Sequence, residues 1–241
     1  MNKTMKVFAG ALALSCAGTV NAISLLDLTN GGAIQVGDKL FGDWFLSFQE
    51  DPFYGLQIDL NNIEVTGVGS GTAGDGYGID IQFNGELDVA SDANSEGDFD
   101  FADLEFGYTV SIVGDNTFAA VDFRGAGNAG ATGDGLASAT GVKWIFDDAF
   151  FGNQIAELVL ETNESGDIFD LGDATNIAGL QKIWVVDDIF TAWDLNGSAS
   201  AGSIQQRFEQ RGGDGNVPTP GTLALLALGL MGIALRRRAQ T

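Results

Sequence analysis

Leu104, Phe106, Tyr108, Val110 and Ile112 occupy every second position of one run, separated by Glu105, Gly107, Thr109 and Ser111. Side chains of an extended chain alternate between two faces, so this run predicts a strand with one buried face. Two shorter runs repeat the pattern: Leu56, Ile58 and Leu60 against Gln57, Asp59 and Asn61, and Ile79, Ile81 and Phe83 against Asp80, Gln82 and Asn84. Val121 to Phe123, Val142 to Phe146, Ile155 to Leu160 and Ile183 to Val186 are further candidates. Gly-rich stretches at 67–78, 125–135 and 197–202 read as the breaks between strands, and 204–210 reads as a short turn of helix. No long segment carries helical spacing. With 35 Gly and 17 Phe, the expected fold class is all-β. The architecture expected is a single antiparallel β-sandwich of jelly-roll or immunoglobulin-like type.

What the chain lacks narrows its chemistry. It has no histidine, and its one cysteine, Cys16, lies in the N-terminal segment. The body therefore has no imidazole or thiolate for a nucleophilic triad or for a nitrogen- or sulfur-ligated metal. Carboxylate pairs, Ser/Lys chemistry and oxygen-ligated cations remain. The formal charge is −22, but five of the eleven bases sit in the terminal segments. Between residues 23 and 216, six bases stand against 33 acids, a net charge of −27. Such a surface repels phosphate backbones, so nucleic acid is not an expected partner, and it attracts divalent cations.

The two ends carry their own signals. Lys3 and Lys6 precede an apolar run from Val7 to Ala17, and Val20-Asn21-Ala22 supplies small or medium residues beyond it. Residues 1–22 thus read as a signal peptide, cut by signal peptidase after Ala22. Leu14-Ser15-Cys16 partly resembles a lipobox, with Ala13 departing from its usual Leu. At the other end, 23–210 is the expected acidic β-sandwich domain and 211–216 a Gly-rich linker. Pro218-Thr219-Pro220 then leads into an apolar stretch over 221–235, followed at once by Arg236, Arg237 and Arg238. A helix over 221–235 is about 22 Å long, short of the roughly 30 Å hydrocarbon core, so it spans only by thinning the bilayer. The arginines hold its end in the cytoplasm and leave the body outside.

Those three features in that order, over residues 217–241, resemble a PEP-CTERM sorting signal. Thr219 stands where the motif usually has Glu. Asp38-Lys39-Leu40-Phe41-Gly42-Asp43 is similar to an early strand of that family, and the stretch from Trp184 through Phe208 is similar to its body ending. The resemblance implies an exosortase-like processing enzyme that cuts near Pro218 and Pro220. It also implies transient anchoring in the inner membrane of a Gram-negative bacterium, then release to the cell surface or an exopolysaccharide matrix. It implies an address and a fold, but no chemistry.

Three candidates for chemistry remain. Asp92, Asn94, Glu96, Asp98, Asp100 and Asp103 follow EF-hand spacing, with Gly97 at the sixth place and Phe99 at the eighth. Calcium takes six to eight oxygens, so the spacing fits that ion, and no other cofactor is called for. Against it, Glu96 is long, Asp103 is short, and Phe99 and Phe101 alternate with Asp98 and Asp100 as a strand does. Trp44 and Tyr54 are candidates for stacking on sugar rings, although Trp44 and Phe45 must face opposite ways on a strand. Last, Trp144-Ile-Phe-Asp147-Asp148-Ala-Phe150 recurs as Trp184-Val-Val-Asp187-Asp188-Ile-Phe190. It reads as two core strands each ending in an acidic turn, or as a duplicated ligand loop. The expected protein is a non-catalytic, structural or adhesive component of the surface or matrix. A calcium-dependent carbohydrate-binding module is the alternative, and a carboxylate-based extracellular hydrolase stands third.

Overall fold

The computed structural model describes residues 22–50, 58–69, 76–90, 99–131, 136–162, 173–174, 177–194 and 197–211. They are almost entirely strand. In chain order the elements are β1 (Ile23–Ser24), α1 (Leu25–Thr29), β2 (Ile34–Val36), β3 (Lys39–Glu50), β4 (Glu64–Val68), β5 (Tyr77–Gln82) and β6 (Val89–Ala90). There follow β7 (Phe99–Ile112), β8 (Thr117–Ala131), β9 (Leu136–Phe146), β10 (Gln154–Glu161), β11 (Asp173–Ala174), β12 (Lys182–Asp194) and β13 (Gly197–Arg211).

These strands form two antiparallel sheets. One has the order β1-β4-β5-β13-β8-β11, with β6 also pairing β13; the other runs β10-β9-β12-β7-β3-β2. Their inner faces share one core, the packing of a β-sandwich. Alternation works as expected on β7, where Leu104, Phe106, Tyr108 and Val110 are fully buried. Across the core, β8 supplies Phe118, Val121 and Phe123, and β13 supplies Ile204 and Phe208. The Phe41 ring from β3 lies 5.7 Å from that of Phe208. The single helical turn α1 is capped by Ser24, whose hydroxyl accepts from the Asp27 N–H, and it buries Leu25 and Leu28.

Two expectations about the Gly-rich segments are corrected. Residues 125–131 belong to β8 and 197–202 to β13, and these stretches pair with each other from Gly197↔Ala131 to Ile204↔Gly125. Small residues carry no periodicity signal, so each stretch alone resembles a break; its strand character comes from the partner's backbone. Residues 204–210 are likewise strand, not helix. Ile204, Gln206 and Phe208 are buried on one face, while Gln205, Arg207 and Glu209 are half-buried on the other. The folded unit runs through Arg211, one residue into the expected linker.

Candidate functional site

Two polar constellations stand out against this core, one on the outer face of the six-stranded sheet and one sealed between the sheets. On the outer face, Asp103 and Glu105 of β7 lie beside Asp188 of β12, which is in register with Glu105. Burial, then a hydrogen bond with Asp103 and the charges of Asp103, Glu105 and Asp187, push the Asp188 carboxyl up from 3.8 to about 7. Phe101 and Phe190 flank these acids with ring centroids 5.6 Å apart. Toward the sheet edge Phe48 is 43 % exposed. Further along, the Phe45 ring covers Gly107 so closely that a Cβ there would overlap it. Phe45 also meets Phe150 edge-on at 4.5 Å. The turn after β9 thus folds its aromatics back over the sheet.

Between the sheets, Lys143 of β9 and Asp187 of β12 are in register and point inward, both with no solvent exposure. They form an ion pair. The Lys143 Nζ also lies 2.5 Å from the Gln206 Oε1 of β13 and 3.3 Å from the Tyr108 hydroxyl of β7. The Tyr108 hydroxyl donates to the same Oε1, and Gln206 Nε2 donates to Asp187 Oδ2 at 2.7 Å. Burial pushes the Lys143 ammonium below its ordinary value, opposed by the Asp187 charge. Burial also pushes the Tyr108 hydroxyl up. A smaller version sits near the sheet edge, where buried Lys39 contacts Asp38 at 2.7 Å and Gln210 at 2.9 Å.

Of the residues singled out by sequence, the described ones do not gather at one place. Trp44 is 5 % exposed and stacks on Tyr108 at 4.5 Å, so its ring fills the core and offers no face to a sugar. Phe45 takes the outward side. Asp100 and Asp103 lie three apart on β7 and so project from opposite faces, Asp100 inward opposite Trp193 and Asp103 outward. They do not converge on one ion. Asp92, Asn94, Glu96, Asp98 and Tyr54 lie outside the described residues. Among the described residues no cluster of three metal-ligating side chains occurs. Of the duplicated segments, Asp147-Asp148 does form a turn after β9, but Asp187 and Asp188 sit in the middle of β12 on opposite faces. That placement corrects the expectation of two equivalent acidic turns. The sealed tetrad was missed, though its signal was present: Lys143 and Asp187 both fall at inward positions of alternating runs.

Ala22 is exposed at the start of the described chain, while 1–21 and the whole tail 212–241, with Pro218, Thr219, Pro220 and Arg236 to Arg238, lie outside it. No helix among the described residues is long and apolar enough to cross a membrane. For that tail the comparison with known families is decisive: residues 216–238 match the PEP-CTERM protein-sorting motif. No curated protein matches the chain. Among solved structures, the chain is similar to TmCBM61, solved in complex with β-1,4-galactotriose, at 13 % identity and a TM-score of 0.29. That alignment covers 69 % of this chain and 89 % of the other. A likeness so distant bears on neither fold nor function.

Proposed function

From a chain that carries a PEP-CTERM protein-sorting motif, we propose a non-catalytic protein of the bacterial surface or exopolysaccharide matrix, delivered there by an exosortase-like enzyme. The observation that carries this reading is the motif at 216–238. Its apolar stretch is too short for a comfortable span, which suits a handle used during processing rather than a permanent anchor. The body supports a structural or adhesive role. Its outer sheet face presents rings and carboxylates on a strand surface rather than in a cleft, and the cavity between β8 and β9 holds only about 20 Å³. Divalent cations bridging the acidic body to anionic polysaccharide are the binding mode such a charge favours. The alternative, a calcium-dependent carbohydrate-binding module built on 92–103, is weakened because Asp100 and Asp103 face apart.

Mass spectrometry of the protein recovered from the cell surface tests the sorting reading. The expected chain begins near Ile23 and ends near Pro218 to Pro220. A surface form that still ends at Thr241, or an unchanged location after deletion of 217–241, sinks the proposal.

A further inference from the structure

We propose that the sealed tetrad is the site of an intramolecular amide cross-link, in which the Lys143 side-chain nitrogen displaces ammonia from the Gln206 carboxamide with Asp187 carrying the protons. This inference is independent of how the protein is sorted.

Each group needed for the reaction is in contact. The Lys143 Nζ lies 2.5 Å from the carboxamide oxygen of Gln206. Tyr108 donates to that same oxygen, where negative charge develops when an amine attacks the carbonyl carbon. Asp187 touches both nitrogens that exchange protons: Oδ1 contacts Lys143 Nζ, and Oδ2 accepts from Gln206 Nε2. All four residues are fully buried, with Nζ 4.7 Å from the centre of the Phe123 ring. Groups held together on four rigid strands react as an intramolecular pair of high effective concentration, and a dry site keeps water from competing.

The step balances. The Lys143 ammonium first gives one proton to Asp187, leaving a neutral amine. Burial pushes the Lys143 ammonium below its ordinary value, which eases the loss of this proton. The Nζ lone pair then bonds to Gln206 Cδ, and the C–O π electrons move onto Oε1 under the Tyr108 hydrogen bond. Asp187 protonates Nε2 and takes a proton from Nζ. The C–Nε2 bond breaks, the carbonyl re-forms, and ammonia leaves. The product is one secondary amide joining β9 of one sheet to β13 of the other, with no oxidant or cofactor consumed. A body without cysteine has no disulfide available to tie its sheets together, and an amide supplies that tie.

The full chain, denatured and digested with trypsin, reads this out directly. A linked Lys143 blocks cleavage after residue 143, so peptide 125–182 is expected joined to 183–207. The joined mass is expected to be lower than the sum of the two by about 17 Da, one ammonia, with fragment ions placing the branch at Gln206. Cleavage after Lys143 and a free 183–207 peptide overturn the cross-link. A deficit of about 18 Da, one water, with the branch at Asp187 overturns Gln206 as the acyl group. Asp187→Asn keeps both reacting groups and the shape of the site. It is expected to give separate peptides, and a linked pair in that variant overturns the role of Asp187. Since the first result comes from the natural sequence, it does not depend on any variant folding.

Discussion

Asp188 shows how a single side chain makes stability depend on pH. Its carboxyl titrates near 7 in the folded protein against 3.8 when unperturbed, so between those values the folded state holds a proton that the unfolded state has released. Proton linkage then makes the contribution of this group to stability fall as pH rises through that window, and the full penalty applies above it. Asp188→Asn is accordingly expected to melt higher than the natural protein at pH 8, with the gap closing toward pH 5. Melting curves of the two proteins across that range check the sign, and a gap that widens on acidification contradicts it. The buried Lys143 and Asp187 differ in kind. Exchanging both charges for matched apolar groups is near neutral for many proteins, whereas removing one leaves an uncompensated charge. Lys143→Met alone removes both the pairing with Asp187 and the amide to Gln206, and is expected to cost several kcal/mol, about 3 or more, in urea denaturation.

The strands differ in how much their own residues specify them. β7 is written in its sequence, since large apolar residues at every second place favour only one face inward. The glycine-bearing strands depend on what lies opposite. At Gly78 of β5 an added Cβ would overlap the Gln206 carbonyl oxygen, in the backbone of β13. Gly78→Ala is therefore expected to shift the backbone of β13 and destabilise by about 1–3 kcal/mol. At Gly130 of β8 nothing lies within 4 Å of that position. Gly130→Ala is expected to be neutral or to stabilise by a few tenths of a kcal/mol, because it reduces the freedom of the unfolded chain (~0.4 or more at a compatible site). Urea midpoints at constant m-value separate the two. Equal effects contradict the close approach of β5 to β13.

For the molecule as a whole, charge governs what happens outside the core. Two of the six bases in the body, Lys39 and Lys143, are buried against acids, which leaves four to offset the body's remaining negative charge. Self-repulsion among those acids is screened by salt, with a Debye length of about 30 Å at 0.01 M falling to about 8 Å at 0.15 M. The melting temperature is expected to rise as sodium chloride is raised across that range. Calorimetry at fixed pH checks it, and a fall with salt points instead to a fold held by surface ion pairs. The same repulsion discourages pairing along open sheet edges.

The sequence alone determined the C-terminal sorting motif, the strand class and the side-chain chemistry the body lacks. A sorting signal is a local code of apolar length, proline spacing and terminal charge, so it is readable without a fold. The absence of histidine and of cysteine from the body needs no coordinates either. Alternation shows which face of a strand turns inward, but it does not show what that face meets across the sandwich. Lys143, Asp187, Gln206 and Tyr108 come from four strands, with hydrogen-bonded partners 19 to 98 residues apart along the chain. Only the pairing of β9 with β12 and the packing of β13 across them brings these groups together. The same holds for the Gly-rich halves of β8 and β13, whose strand character is supplied by each other's backbone. Local periodicity is a property of one segment, while register and sheet packing are properties of pairs, and the candidate cross-link site is built from the latter.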